Sequence, residues 1–342
     1  MAHLLRQAVE HADNFRPETT TLTLYEFRIF DYDFPVGFIR DDYVRDANWN
    51  SANFKINSNV KPTTVILAPE LKGRSKVQAC DEAFLEFCQQ NIGLCKGFRP
   101  WLAKPSAQRD WHAIFGMEHF DSDLKGLRVC TPARGIFGVA TAGVHCNVYS
   151  TKIVNGKEVI DKIWLSERSP TTTFPETPDN CFAGAMDVGD HMNSLTALGR
   201  EGKEEVGIVL EDDGKTFKYN KKKWGEIVGS CQTISITTFK GPIAGPKEDG
   251  HIEFALRFAY DVRLAPGIIP EPKDDDLKKI ISFEVSDLHK AFATEWKYSS
   301  VAVMVDWVLR HNLMNVSERE KQELEKRLHY KIPMENVQKY LQ

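Results

Sequence analysis

Apolar residues recur at helical spacing in the first dozen positions, where Leu4, Leu5, Ala8 and Val9 line one side and predict an amphipathic helix. Strand-like runs follow at LTLYEF and VGFI, then a helix around DEAFLEFCQQ. The stretches GIFGVATAGVHCNVYST and EVIDKIWLSER read as strands joined at Asn155-Gly156, a hairpin signal. Downstream, a helix is predicted from Leu195 to Val206, strands at TISITTF and HIEFALRFAYDVRL, and helices at SDLHKAFAT and SVAVMVDWVLRHNL. Ser317, with Glu320 three residues on, forms a capping box ahead of EKQELEKRL. Strands and helices mix without strict βαβ alternation, which predicts α+β or an α/β sandwich and argues against a doubly wound sheet.

The length of 342 residues suggests about two domains at roughly 150 residues each. Seven aromatic residues in the first part, Phe84, Phe87, Phe98, Trp101, Trp111, Phe115 and Phe120, read as core, the alternative being a pocket for a flat heteroaromatic ligand. Net charge is −4, so no global field draws the chain to nucleic acid or anionic lipid. The seven cysteines are odd in number and widely spaced, without a C-x-x-C pair, which argues against a disulfide framework or a zinc ribbon. Arg6 and Glu10 interrupt the first residues where a signal peptide needs an apolar run, and Asp306 interrupts Val301–Leu309, the longest apolar stretch. A cytoplasmic protein with no membrane segment is expected.

The most informative stretch is AGAMDVGDHMNSLTALGREGKEEVGI, from Ala183 to Ile208. A Gly-rich loop leads to Ser194 as the expected N-cap, and Gly207 is a good C′ residue. Glu201, Glu204 and Glu205 stand at i, i+3 and i+4, so their carboxylates share one helical face, where like charges destabilise the helix and raise each other's pKa. Gly199 and Gly202 cost the same helix roughly 1 kcal/mol each. A hard divalent cation would compensate, because Mg2+ and Mn2+ take carboxylate oxygens and are completed by water and phosphate. A solvated surface face is the other reading. Arg200 stands one turn from Glu204 and can pair with it.

The run R-E-G-K-E-E-V-G, Arg200 to Gly207, resembles the second half of the Nudix box, G-x5-E-x7-R-E-U-x-E-E-x-G-U. HADNF, GIFGVATAGVHCNVYS, WLSERSPTTTFPETPDN and VMVDWVLRHNL are similar to the fungal and plant Nudix subfamily related to thiamine pyrophosphokinase. The resemblance implies an α/β fold, a Nudix-type α/β/α sandwich with an additional α+β amino-terminal domain: residues 1–125 as that domain, 126–316 as the Nudix fold and 317–342 as a helical tail. It implies Mg2+- or Mn2+-dependent cleavage of an organic diphosphate, thiamine diphosphate-like, to a monophosphate. Glu201, Glu204 and Glu205 would be metal ligands and catalytic, Arg200 would orient them, Gly184 would open the box, and Arg168, Trp164 and Asp190 would meet substrate.

Departures from the pattern are plain. The acidic position falls on Asp190, separated from Arg200 by nine residues instead of seven; Ala185 replaces a second Gly; and Gly202 takes the aliphatic place, which predicts altered helix docking. Of an upstream basic stretch only Arg168 remains, and the acidic G-E-V-E-S-F motif reads Lys278, Lys279, Ile280, Ile281, Ser282, Phe283. Asp274, Asp275 and Asp276 could substitute by a loop shift, or be simply solvated. Glu211 to Gly250, with Lys221, Lys222 and Lys223, looks like an insertion. An alternative function follows from these changes: an isomerase or cyclase of fungal secondary metabolism, using the carboxylates as acid and base without metal, assisted by His145 and His191. A third reading is a binding module without chemistry. A small-molecule partner is expected in each case; oligomeric state stays open.

Overall fold

The computed structural model describes residues 2–59, 61–172, 174–190, 192–238 and 250–342. Helix α1 (Ala2–Ala12) forms on its apolar stripe and buries Leu5, Val9 and Ala12. Next come β1 (Leu24–Ile29), β2 (Gly37–Arg40), α2 (Asp41–Asp46), β3 (Phe54–Asn57) and β4 (Thr64–Leu67). They build a four-stranded sheet in the order β2-β1-β4-β3, in which β1 and β4 run parallel. Helix α3 (Lys76–Gln90) starts at a capping box of Ser75 and Gln78. After α4 (Phe98–Ala103) a short ladder pairs β5 (Trp111–Ala113) with β6 (Arg128–Cys130). The aromatic residues of this part are core: Phe84, Phe87, Phe98 and Trp101 are buried in one cluster, and Trp111 and Phe120 pack half-buried against it. Phe115 is buried in the neighbouring cluster instead.

The apolar run expected to enter a strand near Gly135 first makes a turn of helix, α5 (Arg134–Phe137), which ends at Gly138 with φ 56°. Only then does β7 (Ala140–Val154) begin, joined to β8 (Lys157–Arg168) through Asn155-Gly156. Then follow β9 (Pro178–Asn180), β10 (Phe182–Ala185), α6 (Ser194–Glu205), β11 (Val209–Leu210), β12 (Thr216–Tyr219), β13 (Lys222–Thr238), β14 (Ile252–Leu264) and β15 (Leu277–Glu284). The strands of this list from β7 onward form a sheet ordered β11-β12-β13-β14-β7-β8-β15, with β10 on β7 and β9 on β8. The segment that looks like an insertion is therefore sheet: β13 pairs with β14 over most of its length. Its residues 239–249 lie outside the described residues.

Alternation along β7 sends Ala142, Val144, Cys146 and Val148 to one face, where they pack with Ala197 and Leu198 of α6. Tyr149, with Ile163 and Leu165 of β8, faces the other way, onto α1 and α8 (Tyr298–Arg310), which follows the short α7 (Leu288–Ala291). The result is the expected α/β/α sandwich. Helix α1, placed by sequence in the amino-terminal segment, thus packs on α8, as does α9 (Glu318–Leu328), whose Ser317–Glu320 capping box is present. Beyond it Ile332, Met334 and Val337, the last of these in α10 (Glu335–Tyr340), enter the α6-side core. Among the described residues no helix is long and apolar enough to cross a membrane.

One feature of this sheet positions the site. Strand β7 pairs with β8 through residues 148–154 and with β10 through residues 143–146, while β14 occupies its opposite edge. The sheet forks there, and the β9–β10 arm carries Asp179 and Gly184 to the ends of α8 and α6.

Candidate active site

Helix α6 starts one residue earlier than expected. Asn193 is the N-cap, its Oδ1 accepting from Leu195 N at 2.9 Å and Thr196 N at 3.0 Å. Ser194, the expected cap, shares a 2.6 Å hydrogen bond with the Tyr260 hydroxyl instead. The far end is as expected: Gly207 has φ 72°, and Ile208 N donates to Gly202 O at 3.0 Å. That turn explains the glycine in the aliphatic place. A Cβ on Gly202 would stand 3.0 Å from Ile208 Cγ1 and 3.4 Å from Phe182 Cε2, so Ile208 folds back to fill the space a larger side chain would take.

Arg200 organises the site. It donates to both oxygens of Asp190 at 3.0 and 2.9 Å, to Ala185 O at 2.8 Å, to Glu201 Oε1 at 2.7 Å and to Glu204 Oε2 at 3.2 Å. The longer loop therefore still delivers its acid to the arginine. It folds back through paired contacts between Asp187 and Asp190, each backbone amide donating to the other's carboxylate at 3.0 Å. Asp190, expected to meet substrate, is 2% exposed, and both its oxygens are engaged by Arg200.

Glu201 and Glu205 sit on the β10 arm. A Cβ at Gly184 would come within 1.8 Å of Glu201 Oε1, so only glycine lets this carboxylate lie across the strand. Glu205 Oε2 accepts from Ala183 N at 2.9 Å. Burial raises the Glu201 carboxyl against the pull of Arg200. Burial first, and Glu201 second, push Glu205 up to about 8. Glu204 differs: its side chain is 52% exposed and turned to Arg200. It borders an open cleft of about 790 Å3, shared with Lys203, Lys273, Asp274 and Asp275. The expected convergence of three carboxylates is thus not assembled, and among the described residues no three His, Cys, Asp or Glu side chains are arranged to hold a metal ion.

Two residues that the sequence did not single out complete the surroundings. Asp179, 2% exposed, accepts from Arg168 at 3.0 Å, from Lys297 Nζ at 2.9 Å and from Ser300 Oγ at 2.5 Å. Burial opposes its charge, but Lys297 and Arg168 hold its carboxyl below the usual range. Lys297 lies close enough to Glu201 and Glu205 to draw both toward ionisation. Nothing in local spacing points to this pair; a lone lysine ahead of an apolar helix is the only trace.

The remaining expected residues are dispersed. Trp164 packs half-buried on the α6-side core, and its buried Nε1 has no hydrogen-bond partner among the described residues. His145 is buried, bonded through Nδ1 to Asn180 Oδ1 at 2.8 Å and kept neutral because burial drops its pKa to about 3. His191 lies outside the described residues. The Lys278–Phe283 stretch is strand β15, with Lys278 and Lys279 paired to Glu167.

No family model matches this chain. An uncharacterized protein of Saccharomyces cerevisiae is 29% identical over 207 residues, 58% of this chain and 55% of that protein, so the chain spans about half the length of the curated relative it matches. Among solved structures, a C. elegans Ap4A hydrolase is similar with a TM-score of 0.31 at 15% identity, over 50% of this chain and 99% of that one. A NUDIX hydrolase from Nitrosomonas europaea gives 0.32 at 16%, over 52% and 97%. The NUDIX domain of Shewanella oneidensis NrtR, solved with ADP ribose, gives 0.31 at 9%, over 52% and 91%.

Proposed function

We propose that this protein hydrolyses the diphosphate of an organic small molecule to a monophosphate with Mg2+ or Mn2+. The observation that carries the reading is Arg200 bonded at once to Asp190, Glu201 and Glu204, with Glu205 fixed on the Ala183 amide beside them. Such an assembly holds two mutually repelling carboxylates in shelter, which is unfavourable unless a cation joins them. The donor set suits a hard divalent ion bound through one or two carboxylates and otherwise through water and phosphate oxygens. Glu201 and Glu205 would hold it, and Glu204 is one side-chain rotation away on the same helical face.

The bound ion supplies Lewis-acid polarisation of the phosphoryl oxygens and a more acidic water. The chain's residues do the rest. Arg200 keeps Glu201 in place across Gly184 and neutralises part of its charge. Glu204, bonded to Arg200 through Oε2, is exposed and borders the open cleft, where it would accept a proton from the attacking water. Release of monophosphate from a panel of organic diphosphates with Mg2+ or Mn2+, abolished in Glu205→Gln, tests the reading; no turnover by the wild type with either metal would end it.

One observation favours the second reading, an isomerase or cyclase. Without metal, burial keeps a proton on Glu205 at neutral pH, and that proton would serve a general acid. Conversion of a phosphate-free compound in the presence of EDTA, lost in Glu205→Gln, would favour it.

A further inference from the structure

The chain turns tightly just ahead of α6, where Asn193 N donates to Asp190 O at 2.9 Å. Met192 is the third residue of that turn and has φ 54°, a left-handed conformation that favours glycine or asparagine there. A methionine stays in it only when its surroundings hold it. The hold comes from the other end of the chain. Tyr340 of α10 donates its hydroxyl to Met192 O at 2.5 Å, and burial keeps that phenol protonated, raising its pKa to about 12. The tyrosine ring packs on Phe115 and Phe258, with centroids 4.9 and 6.3 Å away. Helix α10 is itself seated on the amino-terminal segment: Asn336, 2% exposed, donates through Nδ2 to Phe115 O at 2.8 Å, and its carbonyl lies where a Cβ on Gly116 would stand.

We propose that Tyr340 is a positioning residue of the α6 site: its hydroxyl holds Met192, so that Asp190 keeps Arg200 on Glu201 and Glu204. This rests on the hydrolase reading for what those carboxylates bind. The contacts run without a gap. Tyr340 fixes the Met192 carbonyl, Asp190 stands two residues before it, both Asp190 oxygens accept from Arg200, and Arg200 donates to Glu201 and Glu204. The paired bonds of Asp187 and Asp190 close the loop on itself, whereas Tyr340 ties it to α10 and, through Asn336, to the amino-terminal segment. Without the hydroxyl, Met192 relaxes from its left-handed conformation, Asp190 loses register with Arg200, and the two glutamates lose the cation that orients them.

The test uses Tyr340→Phe in the full chain, which keeps the ring and removes only the hydroxyl, with Tyr330→Phe as control. The control removes another hydroxyl of the tail, one that donates to Glu18 Oε2 at 2.9 Å. In EDTA, amide hydrogen exchange over the loop that holds Asp187, Asp190 and Asn193 is expected to quicken about fivefold in Tyr340→Phe, as loss of one hydrogen bond requires, and to stay unchanged in the control. Calorimetric titration with Mn2+ is expected to show binding about threefold or more weaker in Tyr340→Phe alone. Adding Met192→Gly, which takes the left-handed turn without help, regains most of that affinity. With hydrolysable substrate, Tyr340→Phe lowers kcat more than it raises KM, because Glu204 acts on the attacking water. Wild-type exchange in Tyr340→Phe, wild-type Mn2+ affinity in that variant, or equal effects of Tyr330→Phe overturns the assignment. Faster exchange confined to Tyr340→Phe, in a protein that binds neither Mn2+ nor Mg2+, keeps the hold on the loop and discards the hydrolase.

Discussion

Buried carboxylates lie on both faces of the large sheet, and burial has opposite results for them. On the α8 face, Asp261 accepts from Arg310 at 2.5 and 3.0 Å, from His311 at 3.2 Å and from Asn147 at 3.1 Å. Asp306 accepts from the same arginine at 2.6 Å, from Cys231 at 3.0 Å and from His329 at 3.1 Å. Burial opposes both charges, yet their partners bring Asp261 down to about 2 and Asp306 below its usual range. On the α6 face, Glu201 has Arg200 and Glu205 has one backbone amide. There burial wins and both carboxyls rise. The difference is the number of donors per buried acid. A saturated cluster is structural; an under-supplied one is where a positively charged ligand gains most by binding.

That contrast can be broken most forcefully on the saturated side. Arg310→Met strips both acids of their cation, and unfolding in urea is expected to show a loss of about 3–5 kcal/mol. A loss under a third of that would mean the α8 cluster is not held by its charges. Next comes Gly184→Ala, which drives a methyl into Glu201; a stability loss of about 1–3 kcal/mol is expected, together with weakened Mg2+ binding by calorimetry. Unchanged metal affinity would detach Glu201 from the cation.

A smaller effect separates the clusters by the sign of their pH dependence. Glu205 has a folded pKa above its unfolded one, so the metal-free protein holds a proton that the unfolded chain releases between about 4.5 and 8. Its contribution is present at the acid end and is lost as pH rises through that window. Asp261 runs the other way, contributing above its unfolded value near 4 and losing this as pH falls toward about 2. Melting curves should show the alkaline-going loss flatten in Glu205→Gln and on adding Mg2+; a flat wild-type profile would contradict the raised carboxyl. The smallest effect is Cys231→Ala, about 1 kcal/mol, since Asp306 keeps Arg310 and His329.

Much of the local structure could be read in advance. The Asn155-Gly156 hairpin, the Ser317–Glu320 box, the Gly207 stop and the Arg200–Glu204 pair all formed where spacing put them. Other features escaped. The Gly202 departure predicts altered helix docking, and the space it leaves is filled by Ile208, which the pattern does not reveal. Asp190 reaches Arg200 across a loop two residues longer than the pattern allows, because Asp187 folds it back. Lys297 and Asp179 are 118 residues apart, and no periodicity links them.

The division follows from the range of the forces. Turn chemistry, capping and the face shared by Glu201, Glu204 and Glu205 depend on backbone dihedrals and a 3.6-residue repeat, so they were settled within a dozen neighbouring residues. Which of those carboxylates is buried, which turns to solvent, and which cations stand nearby depend on desolvation and Coulomb interactions across the forked sheet. Those act through space between segments far apart in the chain, and came into being only when β9 and β10 carried Asp179 and Gly184 against α8 and α6.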